Sequence, residues 1–148
     1  MNLKDIANEV VSELGAEMTS KKIQAEVIGS ANIIAEPKKM YELIGNLCSN
    51  AVHYNKENGL IKVVLDEDKD SVSIEVSDTG IGIEKEHIPR LCERFYRVDK
   101  SRSKKTGGTG LGLAIVKHIC ALYDADLSIE SDVGIGTTIT VVFNKKHL

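Results

Sequence analysis

The segment Gly107-Gly108-Thr109-Gly110-Leu111-Gly112 places four glycines in six positions, directly ahead of the apolar run Leu113-Ala114-Ile115-Val116. Such a bend lets the backbone run close to a bulky group. The helix that the apolar run suggests would then turn its unpaired N–H groups toward an anion. A second glycine element, Asp78-Thr79-Gly80-Ile81-Gly82-Ile83, lies upstream, follows a strand pattern and opens into a helix-compatible stretch. Neither element is a Rossmann turn, which needs G-x-G-x-x-G between one strand and one helix, and no G-x-x-x-x-G-K-[ST] occurs, which excludes a P-loop. Taken singly, a glycine-rich turn before a helix can equally do no more than redirect the chain.

With 148 residues and 42% hydrophobic content the chain suits one domain with a substantial core, spanning residues 1–148. A net charge of -3 argues against nucleic acid as a partner, because phosphate-backbone binding needs a basic face. Lys100, Arg102, Lys104 and Lys105 form a local basic run, readable as a solvated loop or as an electrostatic element near phosphates. Cys48, Cys92 and Cys120 are widely spaced in apolar contexts, the pattern of buried reduced thiols rather than disulfides or zinc ligands. No apolar run approaches the about 18 residues of a membrane span and no signal peptide is visible, so a soluble, cytoplasmic chain without direct membrane contact is expected.

The periodicities predict an α+β two-layer sandwich, a mostly antiparallel sheet with helices on one face. Ile6, Val10, Leu14 and Met18 predict an amphipathic helix over 3–18, followed by extended pieces at 23–28 and 32–35. Pro37 sits where a helix would begin, and Met40, Leu43, Ile44, Leu47, Cys48 and Ala51 form its buried stripe up to Tyr54. Ile61, Val63 and Leu65, then Val72, Ile74 and Val76, alternate with more polar residues and predict a hairpin. A helix over about 111–123 and a final hairpin, 127–130 with 137–143 through Gly134-Ile135-Gly136, complete the pattern. The irregular stretch over about 97–108 has the length of a functional loop, such as a lid over a ligand.

On the helix that Pro37 opens, Asn46, Asn50, His53 and Tyr54 fall within about a quarter of the circumference, beside the apolar stripe. Asparagine is a poor helix former, so two of them one turn apart at the rim of a core call for a reason. Local hydrogen bonding to a loop is one. The other is the neutral amide oxygen, which suits Mg²⁺ when phosphate oxygens and water complete its shell. Tyr54 could be ordinary core or pack on a flat base, and His53 could donate toward phosphates or merely satisfy the core.

The segment 42–54 with Asn46 and Asn50, then Asp78-Thr79-Gly80-Ile81-Gly82, Glu93-Arg94-Phe95-Tyr96-Arg97-Val98-Asp99 and Gly108-Thr109-Gly110-Leu111-Gly112-Leu113, resemble in order and spacing the N box, first glycine box, F box and second glycine box of bacterial sensor histidine kinases. Gly134-Ile135-Gly136-Thr137 resembles the last motif of the same domain. The resemblance covers essentially the whole chain. It implies the ATP-binding fold shared with gyrase-type ATPases and heat-shock chaperones, with Phe95-Tyr96-Arg97 favouring the kinase branch.

By that resemblance, Asn50 is expected to bind Mg²⁺ and Asn46 to lie near the ATP phosphates, with His53 beside them. Asp78 is expected to accept a hydrogen bond from the adenine amine, a choice that a carboxylate's acceptor-only character supports. Tyr54 would pack on the adenine. Gly80, Gly82 and Ile83 would bring backbone to the nucleotide, Gly108, Thr109, Gly110, Leu111, Gly112 and Leu113 would wrap the phosphates, and Thr137 would complete the pocket. Arg97 would contact the γ-phosphate, where arginine stabilises transferring phosphoryl charge, unless it forms only a surface ion pair. His53 departs from the lysine or arginine usual at its place, and Tyr123-Asp124-Ala125-Asp126 lacks the usual glycines.

These kinases phosphorylate a histidine on a separate helical dimerisation domain, and none of His53, His87, His118 and His147 has the sequence context of that acceptor. The expectation is therefore a protein-histidine kinase fragment that does not autophosphorylate alone. It would act on that helical domain and indirectly on a response regulator, as the cytoplasmic part of a membrane-anchored receptor. Two other classes remain. An ATP-driven conformational ATPase would need a water-activating carboxylate on the same helix, where Glu42 is the sole candidate, and a pseudokinase would bind nucleotide without transfer.

Overall fold

A computed structural model describes residues 1–83 and 112–148. Helices α1 (Leu3–Glu13) and α2 (Gly15–Lys21) lead into strand β1 (Gln24–Gly29), followed by the long helix α3 (Pro37–His53). Strands β2 (Leu60–Glu67) and β3 (Ser71–Asp78) form a hairpin; helix α4 (Gly112–Leu122) precedes a second hairpin, β4 (Asp126–Asp132) and β5 (Gly136–Asn144). The sheet has the order β1-β2-β3-β5-β4, with β1 parallel to β2 and every other pairing antiparallel.

The α+β sandwich expected from the sequence is present, and the alternation along each strand explains it. Ile61, Val63 and Leu65 of β2, Val72, Ile74 and Val76 of β3, and Ile139, Val141 and Phe143 of β5 are buried under the helices. Their neighbours Lys62, Ser73, Glu75, Ser77, Thr138 and Thr140 share the other face, which carries no helix among the described residues. Helix α3 is the centre of the helical layer, packed against α1, α4 and the sheet, and buries Met40, Leu43, Ile44, Leu47, Cys48, Ala51 and Val52. Burial holds the Cys48 thiol protonated, its pKa pushed up to about 12, and Cys120 of α4 is likewise buried.

Two expectations are corrected. The single helix over 3–18 is two, because the chain leaves helical geometry at Leu14, ahead of Gly15, and restarts as α2. Residues 32–35 form no strand; Asn32 makes one isolated bridge to Asn2, and the backbone N–H of Asn32 is held by Glu67. The missing glycines after α4 are also resolved. Asp124 itself takes the left-handed conformation (φ 52°), while Ala125 N–H bonds to Cys120 and Asp124 N–H to Ala121 in a Schellman ending. Lys22 (φ 56°) ends α2 in the same way.

The tightest test of the core is Phe143, fully buried and edge-to-face with Tyr123 at 6.0 Å between ring centroids. Phe143→Ala is expected to cost about 3–5 kcal/mol, read in urea unfolding as a lower midpoint at unchanged slope. A loss below about 1 kcal/mol would show that this end of the sandwich is not packed as described.

Candidate nucleotide site

Four elements converge where α3 ends. Asp78, the last residue of β3, is paired in register with Thr137 at the start of β5, and Thr137 in turn with Ser131 of β4. Beyond Asp78 the chain turns through Gly80 and meets the end of α3: Ile81 N–H bonds to the Tyr54 carbonyl at 3.2 Å. Tyr54 caps α3, its own N–H bonded to the Asn50 carbonyl at 3.1 Å. At the other side of the helix face, Gly112 opens α4 so close to Asn46 that a Cβ on it would lie 3.3 Å from Asn46 Oδ1. The structure thus brings Tyr54, Asp78, Gly80 and Thr137 to one corner and Gly112 beside Asn46, with Asn50 between the two along α3, while the charged neighbours of His53 are Lys21 and Glu17 of α2.

The side chains there are half-buried and directed. Asn46 Nδ2 donates to its own helix at the Glu42 carbonyl, 2.7 Å, which leaves its oxygen toward the start of α4. Asp78 Oδ1 accepts from Gly80 N–H at 2.8 Å. Burial raises the Asp78 pKa above the ordinary carboxylate value, and the backbone N–H groups of Gly80 and Thr137 pull it back toward the charged form. His53 is shifted the other way: burial and the neighbouring Lys21 ammonium lower its pKa, against a smaller upward pull from Glu17. Burial and Lys21 both disfavour the charged imidazolium at this end of the helix.

Several glycines are explained by the protein itself. A Cβ on Gly80 would stand 2.2 Å from the Tyr54 carbonyl oxygen, and one on Gly82 (φ +74°) would stand 2.1 Å from that of Asp132. The backbone approach for which these glycines were read is made first by this chain's own strands and helix end. Ile83 is tied into the same corner, its N–H bonded to Ser131 Oγ at 2.6 Å. Leu113 is buried in the core, so only its backbone is available to a ligand. Arg97, Gly108, Thr109, Gly110 and Leu111 lie outside the described residues, as do His87, Cys92, the basic run and the whole of the expected lid.

Three residues of the site were not singled out in the sequence. Asn55, read only as a turn residue, is 3% exposed; its amide donates to the Leu60 carbonyl and its oxygen accepts from Lys56 N–H and the Thr79 hydroxyl. Ser131 holds Ile83 and meets the buried Thr137 hydroxyl at 2.8 Å. Lys21 reaches the end of α3 from α2. The hairpin register would have paired Ser131 with Thr137; the Asn55 bonds to Lys56 and Leu60 are local to its turn, whereas its bond to Thr79 and the Lys21 contacts span distant parts of the chain.

A sheet-backed helix with two amide side chains, a half-buried carboxylate at a strand end and a glycine-opened helix thus lie along one edge of an α+β domain. Residues 35–147 match the family described as histidine kinase-, DNA gyrase B- and HSP90-like ATPase, and the chain belongs to that family. It is 42% identical over 122 residues to the phosphate regulon sensor protein PhoR of Pseudomonas aeruginosa, covering 82% of this chain and 28% of that protein. It is 43% identical over 111 residues to the sensor histidine kinase WalK of Bacillus subtilis, covering 74% of this chain and 18% of that protein. The chain therefore spans less than a third of either relative. Among solved structures, the mycobacterial sensor histidine kinase MprB superposes with a TM-score of 0.83 at 22% identity, covering 97% of this chain and 95% of that one. Full-length ShkA in complex with AMPPNP gives 0.82 at 22% identity, covering 97% of this chain and 30% of that one. The fold is that of histidine kinase catalytic domains.

The Asp78 environment yields a signed prediction. Its folded-state pKa is raised, so the wild-type fold loses stability as pH climbs from 3.8, the unfolded value, through the folded one. Asp78→Asn lacks that titration. Chemical denaturation of the nucleotide-free proteins should show the stability of Asp78→Asn relative to wild type increasing with pH across this window; a pH-independent difference would mean that Asp78 is not desolvated as described.

Proposed function

We propose that this domain binds Mg²⁺-ATP between α3, the Asp78–Gly80 turn and the start of α4, and delivers the γ-phosphoryl to a histidine on a separate helical dimerisation domain. The observation that carries the proposal is the juxtaposition of Asp78, at the end of β3, with the Tyr54 end of the helix that bears Asn46 and Asn50. Asp78 accepts from the adenine amine, and Tyr54 packs against the base. Asn46 and the N-terminus of α4 face the phosphates, whose charge the helix end favours.

The donor set fits a magnesium ion held mostly by the nucleotide. Among the described residues no group of three His, Cys, Asp or Glu side chains is placed to hold a metal, and Asn50 offers a neutral oxygen on a half-exposed helix face. Asn50 would hold the ion, which when bound neutralises phosphate charge as the phosphoryl group leaves. The protein's part is to bind, orient and exclude water. Arg97 is assigned to the γ-phosphate on the strength of the sequence resemblance alone.

The wider setting belongs to the same proposal: the whole protein is a membrane-anchored receptor whose phosphorylated histidine passes its phosphoryl group to a response regulator. No helix among the described residues is long and apolar enough to cross a membrane.

The first test is a thermal melt with ATP, ADP and GTP in Mg²⁺. At a hundredfold excess over the dissociation constant, an adenine nucleotide should stabilise the fold by about 2.7 kcal/mol. An equal shift with GTP, or none with ATP and ADP, would refute the adenine pocket. The second test supplies the helical dimerisation domain of the same receptor in trans with labelled ATP. Acid-labile, base-stable phosphate should appear on that domain and disappear with Asn50→Ala. Label on this chain alone would contradict the assignment of the acceptor histidine to another domain.

A further inference from the structure

Lys21, the last residue of α2, reaches across to α3. Its ammonium donates to the carbonyls of Val52, at 3.0 Å, and His53, at 2.9 Å, the last two residues of that helix. Helix C-terminal carbonyls lack intrahelical partners, and a cation there also meets the negative end of the helix dipole. One residue further on, the Tyr54 carbonyl receives the Ile81 N–H, and one turn back stands Asn50. The last turn of α3 is therefore gripped by the Lys21 ammonium and by the turn that follows Asp78. Helix α2 fully buries no residue and meets the core through the partly buried Met18, so the polar tie of Lys21 is its direct link to the end of α3. Lys21 itself lies outside residues 35–147, the part that matches the ATPase family, while both carbonyls it meets lie inside.

We propose that Lys21 is a positioning residue for the nucleotide site: by holding the Val52 and His53 carbonyls it keeps Asn50 and Tyr54 in register with Asp78 and Gly80. The proposal rests on the assignment of that site to Mg²⁺-ATP. Lys21 touches no substrate; it acts through the helix end. Removing its donors leaves the His53 carbonyl to water and the Val52 carbonyl with the Asn55 N–H alone, at 3.3 Å, and lets the last turn of α3 fray, which displaces the groups that meet phosphate and base while the buried stripe of the helix holds the fold.

The test is calorimetric titration of Mg²⁺-ATP and of ADP into wild type, Lys21→Met and Lys21→Arg, well below each unfolding midpoint and with native circular dichroism confirmed. Lys21→Met should weaken Mg²⁺-ATP binding by roughly tenfold, a typical coupling between distinct positions. Lys21→Arg keeps a cation able to meet both carbonyls and should stay within about threefold of wild type. In an Asn50→Ala background the Lys21→Met loss should shrink to about threefold or less, because both changes act on one helix end. Wild-type affinity in Lys21→Met, or an equal loss in both backgrounds, would overturn the positioning role, the latter being the additive pattern of general loosening. If Lys21→Met does not fold, Lys21→Gln takes its place with the same expected losses. A wild-type protein that binds neither nucleotide overturns the site itself, and this proposal with it; wild-type binding with an unaffected Lys21→Met overturns only the role of Lys21.

Discussion

The site depends on one close backbone contact, between the end of α3 and the turn after β3. The Tyr54 carbonyl accepts the Ile81 N–H, and Gly80 is pressed against the same oxygen so tightly that a side chain of any size would collide with it. This contact sets the distance between the helix that carries Asn46 and Asn50 and the strand that ends in Asp78. The core beneath it does the rest. The apolar stripe of α3 fixes the helix rotation, so that Asn46 and Asn50 emerge at its rim, and the alternation of β3 brings Asp78 out beside Thr137.

A carboxylate in that corner is a compromise. Partial burial disfavours its charge, and two backbone N–H groups restore part of what solvent would have provided. The free protein holds a half-buried acceptor ready there, tied to the Gly80 N–H. Such a local conflict with stability is what a binding site looks like when its ligand supplies the missing partner. The Lys21 tie and the Asn55–Thr79 bond brace the same corner from outside, with side chains that meet backbone or each other rather than ligand.

Much of this was legible in the sequence because it is periodic. The stripe Met40, Leu43, Ile44, Leu47, Cys48 and Ala51 placed α3 with Pro37 at its start, and the alternations around Val63 and Ile74 placed the hairpin. The break at Leu14 was not legible, because the four-residue spacing from Ile6 to Met18 continues across Gly15. Nor was the loss of the strand at 32–35, where local extended propensity finds no partner beyond one bridge. The two asparagines drew notice because they stand beside the apolar stripe of a helix, and Asp78 because it opens the first glycine box. Lys21 was missed because it meets backbone carbonyls of a distant helix, and Asn55 because its bond to the Thr79 hydroxyl joins two turns far apart in the chain; neither leaves a trace in residue spacing. The purpose of Gly80 was read as room for a ligand, when the residue it makes room for is Tyr54.

The central claim is that the corner between Tyr54 and Asp78 receives the adenine ring. Backbone amide chemical shifts followed during titration with ADP test it most directly, because they report the site without requiring turnover. The account predicts that the largest changes fall on Asn50, Tyr54, Gly80, Ile81 and Thr137, and that they are abolished at the same ADP concentration in Asp78→Asn. Changes centred instead on the uncovered face of the sheet, around Ser73, Glu75 and Thr140, or changes unaltered in Asp78→Asn, would contradict it.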